Sequence, residues 1–203
     1  MDKQIKSKER VKKYGEVFTP ESVVNKMLQS VENELYRIDS RFLEPACGTG
    51  NFLVPVLNTK LDEVRKKYKK SKYEYEQQSL LALGSIYGIE VLHDNVIECR
   101  NRLFDIWEAK YKSCFREVDE EIIKSAAYIL EKNIVHGDAL SMTDSKGNPL
   151  ILSEWSIVSS GLFQRRDYLY KDLRETANPL NYEETSLVDQ RIVGYRRLWN
   201  DGN

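Results

Sequence analysis

Apolar residues recur along this chain in two alternating rhythms. Val23, Val24, Met27, Leu28 and Val31 fall at helical spacing and predict a helix, with Thr19 as its cap and Pro20 at its first position. The short apolar run Arg41-Phe42-Leu43-Glu44 reads as a strand that stops at Pro45-Ala46-Cys47-Gly48-Thr49-Gly50. Beyond it Phe52, Leu53, Val56, Leu57, Leu61 and Val64 mark one face of a helix from Asn51 to about Tyr68. A further helix over about 73–83 leads to a strand over 85–90. Asp94 then starts a long helix whose stripe is Val96, Ile97, Cys99, Leu103, Ile106 and Trp107. Residues 119–132 give one more helix before a strand over 133–138. Strands alternating with helices predict a parallel sheet built from crossover units, an α/β fold.

After Leu140 the rhythm changes. Lys146-Gly147-Asn148-Pro149 reads as a turn, and Ile151–Val158 with Leu162–Tyr170, joined by Ser159-Ser160-Gly161, predicts an antiparallel hairpin. From Asp172 the chain is polar and turn-rich, ending in a weak amphipathic piece around 193–199. The expected organisation is a flexible basic arm over 1–13, a main domain over 14–140, and a hairpin with a polar extension over 141–203.

Composition narrows the class. With 41% hydrophobic and 31% charged residues in 203, the chain reads as one globular domain. No apolar run approaches the ~20 residues of a membrane helix, so no membrane and a cytoplasmic location are expected. Cys47, Cys99 and Cys114, with only His93 and His136 beside them, lack metal-ligand spacing; no metal is expected, and the thiols read as reduced. The net charge of −1 carries no nucleic-acid signature as a whole. Two local runs do, over 1–13 and over Arg65–Lys72, and each fits either a solvated face or a phosphate contact.

Three features fall at the carboxyl ends of three predicted strands, where open parallel sheets place their ligands. The turn Glu44–Phe52 holds two glycines, which let a backbone approach a ligand closely, and it leads into a helix N-terminus with unpaired N–H groups. Glu44 before it suits an ammonium group better than a phosphate. Glu90 ends the next strand, where an acid can accept from both hydroxyls of a ribose. Gly137-Asp138-Ala139-Leu140 ends the third, where Asp138 can receive an adenine amine and Ala139 and Leu140 can pack the ring.

Gly15-Glu16-Val17-Phe18-Thr19-Pro20, Phe42–Phe52, Gly88-Ile89-Glu90 and Gly137-Asp138, in this order, resemble the adenine-N6 DNA methyltransferases, above all the modification subunits and fused methylases of restriction-modification systems. The resemblance covers 14–140. It implies a class I, Rossmann-like methyltransferase fold, S-adenosylmethionine as cofactor and double-stranded DNA as partner, reached directly or through another chain. By the same resemblance Phe18, Thr19 and Pro20 line the methionine end. Glu44, Pro45, Ala46, Cys47, Gly48, Gly50, Asn51 and Phe52 hold the amino acid, Glu90 the ribose, and Asp138, Ala139 and Leu140 the adenine.

One element of that family is missing. Its catalytic loop, Asn/Asp-Pro-Pro-Tyr/Phe after a fourth strand, holds the flipped adenine. These 203 residues contain no adjacent prolines; Asn148-Pro149-Leu150 and Asn178-Pro179-Leu180-Asn181-Tyr182 come nearest, both read as turns, and the second also fits a degenerate catalytic loop. The catalytic residues are therefore unassigned and the fold is expected to be incomplete. Without a fourth strand the first strand has an open edge, which either the hairpin or a second protein chain, including a homodimer partner, is expected to cover. The hairpin also carries Gln164-Arg165-Arg166-Asp167-Tyr168, a cluster that fits an ordinary surface or a nucleic-acid contact. Two further readings stay open: a catalytically inactive module that binds cofactor or partner, and a methyltransferase acting on RNA or a small molecule.

Overall fold

A computed structural model describes residues 5–17, 19–117, 119–175 and 187–200. Phe18 and the candidate stretch 178–182 lie outside these residues. The elements are helices α1 (Lys8–Tyr14), α2 (Glu21–Ser30) and α3 (Glu32–Leu35), strand β1 (Phe42–Glu44), helices α4 (Leu53–Tyr68) and α5 (Lys72–Gly84), and strand β2 (Ile86–Glu90). Helices α6 (His93–Lys112) and α7 (Glu120–Asn133) precede strand β3 (Ile134–His136). Strands β4 (Ile151–Ser159) and β5 (Leu162–Leu169), helix α8 (Tyr170–Glu175), strand β6 (Leu187–Gly194) and a 3₁₀ turn Tyr195–Arg197 complete the chain.

Strands β1, β2 and β3 pair in parallel in that order, Phe42 opposite Ile86 and Gly88 opposite Ile134. Every residue of β2 is buried. Because side chains alternate across a strand, Ile86 enters the core shared with α4, α5, α6 and α7, whereas Tyr87 and Ile89 meet Leu150, Leu152 and Tyr170 on the opposite face. The mixed α/β pattern expected from the apolar rhythm is thus present. Helix α2 begins one residue later than expected: Pro20 is its N-cap, and no side chain caps it.

The hairpin was one of two candidates for covering β1, and here the expectation is corrected. Strands β4, β5 and β6 form a separate antiparallel sheet, and among the described residues β1 pairs with β2 alone. Residues on both faces of the hairpin are already committed. Leu152 packs under the parallel sheet, while Trp155 and Phe163 enter the helical core. The Trp155 indole donates to Asn133 Oδ1 at 3.0 Å, and Asn133 Nδ2 donates to the Gly84 carbonyl at 3.0 Å. A Cβ on Gly84 would stand 2.9 Å from the Trp155 ring, so only glycine admits the indole there. The hairpin therefore lies as a layer and not as an edge.

The Gln164–Tyr168 cluster is likewise internal. Arg165 is 5% exposed; its guanidinium donates to the Tyr128 hydroxyl at 2.6 Å and pairs with Asp189 at 3.0 Å. That ion pairing removes Arg165 from any nucleic-acid surface.

Two buried polar anchors fix the remaining pieces. Glu76 accepts from Tyr111 Oη (2.7 Å), Tyr195 Oη (2.8 Å) and Arg196 (3.0 Å), tying the 3₁₀ turn to α5 and α6. The Lys60 ammonium donates to the carbonyls of Arg37, Ile38 and Ser40 and so fixes the approach to β1, although burial pushes its pKa down to about 7.

The described part of the basic stretch over 1–13 carries helix α1. Ser7 caps α1 by accepting from the Arg10 N–H at 3.1 Å, and Gly15, at φ 66°, closes the helix in the left-handed region that favours glycine.

Trp155→Ala removes both the core contact and the Asn133 hydrogen bond. It is expected to destabilise the chain by about 3–5 kcal/mol, read as a shift in the urea midpoint. A shift near zero would mean that the hairpin is not packed as described.

Candidate cofactor cleft

The carboxyl ends of β1 and β2 lie side by side, and the turn after β1 folds across the end of β2. Cys47 N–H donates to the Ile89 carbonyl at 3.0 Å, and Gly50 N–H returns to the Cys47 carbonyl at 2.8 Å. Glycine is required at two points. Gly50 has φ 89°, and a Cβ there would sit 2.8 Å from Cys99 Sγ. A Cβ on Gly88 would sit 2.7 Å from Cys47 Sγ, so β2 admits the turn only because Gly88 lacks a side chain. Cys47 packs as an inert thiol: hydrogen bonding to Cys99 and burial both push its pKa up.

Glu90 holds this turn in place. One carboxylate oxygen accepts from Gly48 N–H at 2.9 Å and the other from Leu92 N–H at 2.8 Å. Each oxygen keeps a second lone pair for a ligand hydroxyl. Glu44 is in a different state. It is half-buried, burial raises its pKa, and the opposing influence is a backbone N–H of Ala46 rather than a cation. A carboxylate so placed gains from a cationic ligand. Behind the turn, Arg102 of α6 donates to the Thr49 carbonyl (2.6 Å), Thr49 Oγ1 (3.0 Å) and Asn51 Oδ1 (2.9 Å).

These groups line a cleft of about 180 Å³. Glu44, Ala46, Cys47, Gly48, Asn51 and Phe52 form one wall, Glu90, Val91 and Leu92 the floor, and Gly15, Glu16, Val17 and Thr19 the roof. A larger, more open cavity of about 780 Å³ shares Thr19 and Asn51 and extends past Pro20, Asn25, Asn58 and Arg102.

Of the expected site residues, Thr19, Glu44, Ala46, Cys47, Gly48, Asn51, Phe52 and Glu90 thus come together. Pro20 lines the neighbouring cavity, and Pro45 and Gly50 shape the turn without facing the cleft. The group at 138–140 does not join them. Asp138 Oδ1 accepts from Leu140 N–H at 2.8 Å, which closes its own turn. Leu140 is 81% exposed, and Ala139 packs against the Leu150 and Tyr170 cluster. Leu150 also wedges against Gly137, where a Cβ would meet it at 2.5 Å, and so draws this segment toward the hairpin.

Asn148-Pro149 is a plain turn: Asp144 accepts from the N–H groups of Lys146 and Asn148 and from Asn148 Nδ2. The basic run 65–72 begins in the last turn of α4, about 20 Å from the glycine turn by helix rise, where cations complement the helix dipole. Arg102, Asn95, Arg10 and Glu16, which brace the cleft, carried no signal in the apolar pattern. Among the described residues no cluster of His, Cys, Asp or Glu could hold a metal, and no helix is long and apolar enough to cross a membrane.

The family model described as MmeI, DNA-methyltransferase domain, matches residues 18–149. No curated protein and no solved structure matches the chain. The matched stretch is more than half the chain and contains the whole glycine turn, its Glu90 tie and the parallel sheet that carries them, and on that ground the chain belongs to the MmeI DNA-methyltransferase domain family.

Proposed function

We propose that this chain binds S-adenosylmethionine in the cleft under the glycine turn, as the cofactor half of an adenine-N6 DNA methyltransferase of restriction-modification type with a class I fold. The observation that carries the reading is the pair of carboxylates that bracket the turn. Glu44, with a raised pKa and no cation among the groups that shift it, suits the ammonium of the amino acid moiety. Glu90, held by two backbone N–H groups with lone pairs to spare, suits the ribose hydroxyls. Val91 and Leu92 on the cleft floor offer apolar contact to the adenine, in place of the 138–140 segment.

The cofactor supplies an electrophilic methyl group, and transfer to the amine of a DNA adenine is a direct displacement that depends on alignment more than on acid–base help. In this chain Glu44 and Glu90 orient the donor, and Arg102 braces the turn. These 203 residues hold no Asn-Pro-Pro-Tyr type of loop to align the acceptor adenine, since no two prolines adjoin. That same absence favours a second reading, a module that binds cofactor but acts only with a partner. The open side of β1 in the described residues is where a partner chain would add a strand together with its acceptor loop. Double-stranded DNA then reaches the cleft through that partner.

Calorimetric titration of the full chain with S-adenosylmethionine tests the assignment. Glu44→Gln is expected to weaken binding about tenfold or more, the size of a lost charge-assisted hydrogen bond. Burial raises the Glu44 pKa and a bound ammonium restores the ionised form. Wild-type affinity should therefore fall as pH drops through that raised range, while Glu44→Gln stays flat. A pH-independent wild type, or a Glu44→Gln variant of unchanged affinity, would remove Glu44 from the site. Transfer of a tritiated methyl group to duplex DNA by the chain alone is expected to be at background; clear incorporation would contradict the partner requirement.

A further inference from the structure

The roof of the cleft is built unlike the rest of the molecule. Among the described residues before Val24, none belongs to either hydrophobic cluster, so the segment 5–17 is not held by apolar burial. It is held by charge. Arg10 Nε and Nη2 donate to the two Glu16 oxygens at 2.6 and 2.8 Å, and its Nη1 reaches Asp94 at 2.8 Å. Asn95, fully buried, donates to Glu16 at 2.6 Å and accepts from Lys6 at 2.8 Å. Asp94 and Asn95 open α6 just beyond Glu90, so the catch and the cleft floor belong to one rigid piece.

The segment borders both cavities: Gly15, Glu16 and Val17 line the smaller one, and Ile5 and Lys6 line the larger one that adjoins it at Thr19 and Asn51. Gly15, at φ 66°, ends α1 and turns the chain toward the roof residues Glu16 and Val17, and open space surrounds the position of its missing Cβ.

We propose that residues 5–17 are a latched cover over the cofactor cleft, and that Arg10 is the positioning residue that braces Glu16 within the cover and latches the cover to Asp94 and Asn95 of α6. The proposal rests on the cofactor reading given above and adds how the same site is closed. The attachment is ionic and hydrogen-bonded and few apolar contacts oppose its release, so the cover lifts to admit the ligand and shuts behind it.

The test uses the full chain as wild type, Arg10→Ala and Arg10→Lys. Release of tritiated S-adenosylmethionine is followed in a chase with unlabelled ligand, association is timed separately, and deuterium uptake is mapped by peptide. Arg10→Ala should release the ligand about tenfold faster or more, with association no slower, because a bidentate charged latch is gone. Uptake over 8–17 should rise in this variant while peptides of α4 and α6 stay at wild-type levels. Arg10→Lys should fall between, since a single ammonium cannot replace the guanidinium fork. Ligand should slow uptake over 8–17 in the wild type.

A general rise in uptake across α4 and α6, or slower association, would mark structural damage and overturn the latch. A wild type that binds the ligand, with an Arg10→Ala release rate equal to it, would overturn the cover alone. A folded wild type that binds no S-adenosylmethionine would overturn the cofactor reading and the cover's purpose with it.

Discussion

The Glu90 carboxylate ties three backbone pieces together, and the cleft depends on that tie. It ends β2, accepts from the glycine turn that ends β1, and accepts from the N–H of Leu92 that leads into α6. An ionised acceptor shared by two backbone donors is stronger than a neutral pair, and its 7% exposure keeps water from competing. The glycines follow from this tie. Gly88 clears the path for Cys47, and Gly50 bends back without a side chain that would strike Cys99.

Around that point the chain divides its work between apolar and polar fastening. The parallel sheet, the helices over it and the hairpin layer beneath are joined by burial, with Asn133 and Glu76 as polar pins at the seams. The roof of the cleft is fastened by ion pairs and hydrogen bonds. Burial makes the frame rigid, whereas the ionic latch leaves the one part that a ligand must pass able to move. The second sheet takes up one face of the parallel sheet and leaves β1 without a further described neighbour, which is where a completing chain would fit.

Much of the frame was legible in the sequence because it rests on local rules. Helical and strand spacing marked α4, α6, β2 and the hairpin, and the run Glu44–Phe52 announced its turn through its glycines. Pairings between distant residues were not legible. Arg10 and Asp94 lie 84 positions apart, so their pairing left no trace in the basic run that holds Arg10. Arg165 looked like a surface cation because nothing nearby in sequence revealed Tyr128 and Asp189 as its buried partners. Asp138 is the opposite case: it takes the shortest-range option, the N–H of Leu140 two residues on, a local bond of the kind that sequence spacing allows.

Photo-crosslinking of radiolabelled S-adenosylmethionine to the full chain, followed by peptide mapping, tests the central assignment most directly. Label is predicted on the peptides that carry 44–52 and 90–92, and excess unlabelled cofactor should remove it. Label confined to peptides around 138–140 or 65–72, or no competable label at all, would contradict a cofactor cleft at the joined ends of β1 and β2.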